Sequence, residues 1–183
     1  MKKISNFLFF KLMGWTCEYT VPERKKCIIC VAPHTSNWDF IIAKLFYWAI
    51  GRKSGFVMKK QWFFWPLGTI FRKMGGIPIT QNKNMSMTEK ITETARNSEE
   101  FVLAITPEGT RSRVEKWHRG FYYIAKNAGI PIQCYAIDYK HKHITGTLEI
   151  QPSDNMENDF RTIMKYYENI HAKYPEKFTV EKI

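Results

Sequence analysis

The feature that most constrains this chain is its set of short, unbroken apolar runs. "CIICVA" (residues 27–32) and "FVLAIT" (residues 101–106) are each followed by a proline-led polar loop. Runs of this length, bounded by charge and proline, read as buried strands rather than helices. Between them lie segments of helical length. "WDFIIAKLFYWAI" (38–50) stops at Gly51, a polar helix-prone stretch covers 85–98, and "GFYYIAKNAG" closes on Gly129. "GFVMKK", "GIPIT", "IPIQCYAIDY" and "TGTLEIQPS" complete the strands, and "MENDFRTIMKYYENIHAKY" makes a last helix with its N-cap at Ser153 or Asp154. Strands alternating with helices predict an α/β fold: one domain over residues 1–183, with a mostly parallel central sheet flanked by helices. A length of 183 residues suits one core, and no repeat or linker divides it.

The four cysteines do not form a disulfide framework. Cys27 and Cys30 make a C-x-x-C, but inside a buried strand and with no second ligand pair they read as core residues. A reducing, cytoplasmic compartment follows as an expectation. No uncharged run approaches the roughly 18 residues of a membrane span. Lys11 interrupts the N-terminal apolar run and no cleavage site follows, so no signal peptide is expected. Residues 4–15 predict a short amphipathic helix with Phe7, Leu8 and Trp15 on its apolar side, making residues 1–15 a candidate membrane-contacting segment.

Charge narrows the partner. With 28 Lys+Arg against 17 Asp+Glu, the formal charge of +11 favours anions such as phosphorylated ligands, lipid headgroups or nucleic acid. Aromatics make up 15% of the chain, and many neighbour cations, as in "KKQWFFW" and "FLFFK"; that mixture suits a headgroup interface. No aromatic/basic pattern of an RNA-binding sheet is present, so a lipid or phosphate surface is the more economical reading than nucleic acid.

Two loops carry candidate chemistry, and both follow predicted strands, where ligands bind in α/β sheets. In "PHTSNWD", His34 and Asp39 are five residues apart, about 140° around a regular helix, so they cannot share a helical face. His34 therefore belongs to the loop and Asp39 to the first helical turn. There the carboxylate can curl back to one ring nitrogen and leave the other free as a general base. Ser36 followed three residues later by Asp39 is equally a capping box, and the two roles are compatible. In "PEGTRS", Gly109 permits a tight turn whose N–H groups converge on an anion, and Arg111 offers a fork to phosphate. Glu108 either fixes that arginine or meets the substrate; an intramolecular Glu–Arg surface turn is the plain alternative. No G-x-S-x-G elbow occurs, and Gly75-Gly76 is too short for a dinucleotide or Walker loop. His141 and His143 in "KHKH", with Asp138 nearby, read as solvated residues rather than a metal site.

Together these blocks resemble the glycerolipid acyltransferases, the lysophosphatidate acyltransferase family. "HTSNWD" is similar to its H-x-S-x-x-D block and "PEGTRS" to its glutamate-glycine-threonine-arginine block. "KKQWFFWPLGTIFRKMGGIPIT" and "GFYYIAKNAGIPI" resemble the intervening and later regions, so the likeness runs from about Ile28 to Tyr139. The resemblance implies acyl transfer from acyl-CoA or acyl carrier protein to a hydroxyl of a lysophospholipid such as 1-acylglycerol-3-phosphate. It implies His34 as base, Asp39 as its partner, and Glu108, Gly109, Thr110 and Arg111 as acceptor-binding residues. No acyl-enzyme, cofactor or metal is implied, and the setting is peripheral, at the cytoplasmic face of a membrane. The chain departs from the family where an arginine often follows the "GxIxI" strand: here Gln81, Asn82 and Lys83 stand. A lipo-amino acid or another lysolipid thus stays open as acceptor, as does a non-catalytic phospholipid-binding domain.

Overall fold

The structure is a computed structural model that describes residues 2–79 and 86–183; Gln81, Asn82 and Lys83 lie outside the described residues. Seven strands form one sheet: β1 (Thr16–Tyr19), β2 (Lys26–Ala32), β3 (Gly55–Lys59), β4 (Gly76–Ile79), β5 (Phe101–Ile105), β6 (Ile132–Asp138) and β7 (His143–Ile150). Their spatial order is β1-β7-β6-β2-β5-β3-β4, and among the described residues only the β6/β7 pair is antiparallel. The expected mostly parallel α/β sheet is what forms.

The apolar runs are unbroken because both faces of the sheet are covered. Ile28, Cys30 and Ala32 of β2 point into one core, whereas Cys27, Ile29 and Val31 point into the other. The first core is closed by α4 (Met87–Asn97), α5 (Gly120–Ala128) and α6 (Met156–Tyr167). The second is closed by α2 (Asn37–Ile50) and the N-terminal segment. Each fully buried Phe or Ile on these faces contributes about 1.5–3 kcal/mol. The central strand is thus held from both sides, and its C-terminal end is a rigid platform for the loop that follows. A short helix, α3 (Leu67–Lys73), joins β3 to β4.

Three local expectations change. The N-terminal helix starts at Lys2, not residue 4: α1 (Lys2–Asn6) continues as a π-helical stretch, Phe7–Leu12. Within that stretch Phe9 turns into the core and Phe7 stays outside, 61% exposed, while Trp15, beyond it, is buried. The cap of α6 is Asn155, whose side chain accepts from Asn158 N–H, rather than Ser153 or Asp154. Strand β1 carried no signal, because as a mostly exposed edge strand "TCEY" has no buried face to impose alternation. Cys27, Cys30 and Cys134 are buried free thiols and Cys17 is a half-buried one.

Candidate active site

Because β2, β5, β3 and β6 run parallel, the loops beyond their C-terminal ends share one edge of the sheet. His34 lies in the loop after β2 and Asp39 in the first turn of α2. The capping box forms: Ser36 Oγ accepts from Trp38 N–H (3.1 Å), and the Asp39 carboxylate accepts from Ser36 N–H (2.7 Å). The same carboxylate faces the histidine, with His34 Nδ1 3.6 Å from Asp39 Oδ2. This is ion-pair range but longer than a hydrogen bond. Capping and pairing thus coexist on one side chain, since α2's terminus has donors to spare.

Asp39 is nearly inaccessible and saturated with donors. Oδ2 accepts from Thr35 N–H (2.6 Å) and Ser36 N–H, while Oδ1 accepts from Ser36 Oγ (3.2 Å) and from the Tyr139 hydroxyl (2.6 Å). Burial alone would raise this carboxyl, but the His34 ring, Tyr139 and the two backbone N–H groups hold it below its ordinary value. The result is a fixed negative charge beside the imidazole. Burial and the bond to Asp39 push the Tyr139 hydroxyl far up, so it stays a donor.

The loop after β5 meets the histidine loop through Glu108. This carboxylate is buried, and Oε1 accepts from the His34 backbone N–H (2.8 Å). Glu108 Oε2 and His34 Nδ1 are buried atoms with no hydrogen-bond partner among the described residues. Burial raises the Glu108 carboxyl to about 7, against the pull of its own loop's backbone and the His34 N–H. The Glu108–Arg111 contact, one of the two alternatives for this loop, is not formed. Glu108 turns inward, whereas the exposed Arg111 donates to Asn37 Oδ1 at the first position of α2. Gly109 has φ 65°, and a Cβ there would sit 2.6 Å from His118 Cδ2. Both facts favour glycine at this turn. Thr110 Oγ1 accepts from Ser112 N–H (3.3 Å), leaving Thr110 exposed beside Arg111.

The six expected residues therefore lie on two loops and the first turn of α2, joined by the Glu108–His34 and Arg111–Asn37 bonds. Tyr139 and Asn37 were not anticipated. Tyr139 directly follows β6, and its position at the same sheet edge was the one available signal.

The family model for Acyltransferase matches residues 16–138, which takes in both loops. The chain belongs to the Acyltransferase family. Among curated proteins none matches this acyltransferase. Among solved structures it is similar to PlsC, the 1-acyl-sn-glycerophosphate (LPA) acyltransferase of Thermotoga maritima. That match has a TM-score of 0.61 and 16% identity, and covers 94% of this chain and 80% of PlsC. At that identity the likeness speaks for the fold.

Proposed function

We propose that the acyltransferase moves a fatty acyl group from acyl-CoA or acyl carrier protein to the hydroxyl of a lysophospholipid such as 1-acylglycerol-3-phosphate. The observation carrying this reading is His34, a loop imidazole 20% exposed, with Nδ1 turned toward a buried carboxylate. That orientation leaves Nε2 to take the hydroxyl proton. The alkoxide oxygen then bonds to the thioester carbonyl carbon. The carbon–sulfur bond breaks, and the leaving thiolate takes the proton back from His34 and departs as free thiol. Asp39 offsets the imidazolium charge as it forms. Arg111, with the Gly109 turn and Thr110, receives the acceptor's phosphate.

Access to lipid would come from exposed apolar side chains. Ile4, Phe7 and Leu12 stand out from the N-terminal helix beside Lys2, Lys3 and Lys11. Trp62, Phe64 and the 86%-exposed Trp65 follow β3, whose C-terminal end lies at the site's edge. Aromatic rings among cations on a chain of net +11 suit peripheral attachment to an anionic cytoplasmic leaflet. No helix of the described residues is long and apolar enough to cross a membrane.

The test presents lysophosphatidate in anionic vesicles with acyl-CoA and follows free CoA and vesicle flotation together. Wild type releases CoA and floats. His34→Ala floats but turns over about 10²–10⁴-fold more slowly. An active His34→Ala variant sinks the mechanism. A wild type that floats without turnover on any lysolipid supports a binding domain instead.

A further inference from the structure

A second histidine–carboxylate group sits on the same sheet edge, outside the proposed catalytic loops. Asp138 is the last residue of β6, His141 lies in the turn to β7, and His171 lies in the segment after α6. Asp138 Oδ1 is satisfied by His141 N–H at 3.1 Å. Oδ2 faces two ring nitrogens, His141 Nδ1 at 2.9 Å and His171 Nδ1 at 3.3 Å. The two rings are nearly perpendicular, 83° apart, with centroids separated by 5.4 Å. The three ligand atoms all fall within 4.8 Å of one another.

We propose that Asp138, His141 and His171 form a binding site for one divalent transition-metal ion of the zinc class. A tetrahedral ion with bonds of about 2.0–2.1 Å separates its ligands by about 3.3 Å, and the two carboxylate–nitrogen distances, 2.9 and 3.3 Å, lie at or just under that edge. Two imidazoles and one carboxylate select zinc-type ions over magnesium or calcium, which prefer oxygen. Without a cation, both rings must present Nδ1–H to one carboxylate oxygen. An ion among the three atoms takes a lone pair from each instead.

The surroundings leave the site open. The side chains of His141 and His171 are 58% and 44% exposed, so an ion can enter and water can complete its coordination. Two neighbouring lysines point elsewhere: Lys142 Nζ donates to Met13 O, and Lys173 Nζ lies over the Trp38 ring. The sequence pairs Asp138 with His141 and His143, but the fold substitutes His171. His143 Nδ1 instead meets Thr16 Oγ1 at 2.7 Å across the β1/β7 pair. The site also adjoins the catalytic apparatus. Tyr139 N–H donates to His171 O at 2.9 Å, and the same residue's hydroxyl holds Asp39. An ion joining β6 to the segment after α6 therefore pins both ends of the Tyr139 support.

The experiment uses the full chain, stripped with chelator and titrated calorimetrically with Zn²⁺, with Mg²⁺ as comparison. Cobalt absorption then reports coordination number. The expected result is one equivalent of Zn²⁺ and no Mg²⁺ binding. Affinity should fall about ten-fold or more in both His141→Ala and His171→Ala. It should be retained in His34→Ala, which separates this site from the catalytic histidine. Because His141 is exposed in a turn, its variant keeps the test valid even if His171→Ala unfolds. Absence of Zn²⁺ binding by wild type, or unchanged affinity in His141→Ala, overturns the proposal.

Discussion

Asp39 and Asp138 occupy the same edge of one sheet, and each faces histidine, yet their surroundings differ in kind. Asp39 Oδ2 accepts two backbone N–H groups and Oδ1 two hydroxyls, so the imidazole is left at 3.6 Å. Asp138 Oδ2 faces only imidazole nitrogens, at 2.9 and 3.3 Å. Both carboxyls titrate below their ordinary value despite burial, but for different reasons. Asp39 is held down by its histidine, a tyrosine and two backbone groups; Asp138 is held down by the side chain and backbone N–H of His141 and by His171. A carboxylate whose lone pairs are already taken supplies charge and position. One with an oxygen left to nitrogen ligands can supply coordination. The two sites look alike as residue types and separate only by what else touches the acid.

The largest test of this contrast is Asp39→Asn. The amide places N–H groups among four donors, so stability should fall by about 3 kcal/mol or more in urea unfolding. Turnover should fall by at least about 10²-fold. A variant as stable as wild type would put Asp39 on a level with Asp138 and erase the distinction.

Glu108 sharpens the comparison as a third carboxylate that lacks a partner on one oxygen. Its carboxyl is raised from 4.5 to about 7, so the folded protein keeps a proton that the unfolded chain loses in that window. Stability from this group is complete below about pH 4.5 and declines as pH rises through about 7, by about 3 kcal/mol in all. Glu108→Gln keeps an oxygen for the His34 N–H and removes the titration. The difference in unfolding free energy between about pH 5 and about pH 8 should shrink by about that amount. An unchanged pH profile would show that Oε2 is not desolvated.

The smallest effect belongs to Tyr139→Phe, which deletes one donor to Asp39. The Asp39 carboxyl should rise, so the stability that it contributes in full above its unfolded pKa should finish being lost at a higher pH as acid unfolding proceeds. The expected cost at neutral pH is about 1.5–3 kcal/mol. Turnover should drop in kcat with little change in KM, since Tyr139 acts by positioning Asp39. Identical acid unfolding would remove Tyr139 from the site.

Legibility in the sequence followed distance along the chain. Helix α2, its cap and the His34/Asp39 relation all lie within one loop and one turn, where spacing and helix geometry decide the outcome. The unbroken runs of β2, β5 and β6 declared a covered sheet, because no one-sided strand has two apolar faces. Glu108 was legible as a site residue but not as a buried one, since a loop carboxylate ordinarily reads as solvated. Tyr139 lies 100 residues from Asp39, and His171 lies 33 from Asp138; no local pattern links either pair.

The sequence by itself determined the α/β class, the two polar loops at strand ends and the placing of a loop histidine beside an acid in the next helical turn. These rest on hydrophobic periodicity, capping and residue type, all of which act over a few neighbours. Only the tertiary structure decided which oxygen of Asp39 each donor occupies, that Glu108 turns inward to hold His34, and that His171 displaces His143 beside Asp138. Those outcomes depend on which distant segments the sheet brings to one edge, and burial there changes what each carboxylate can do.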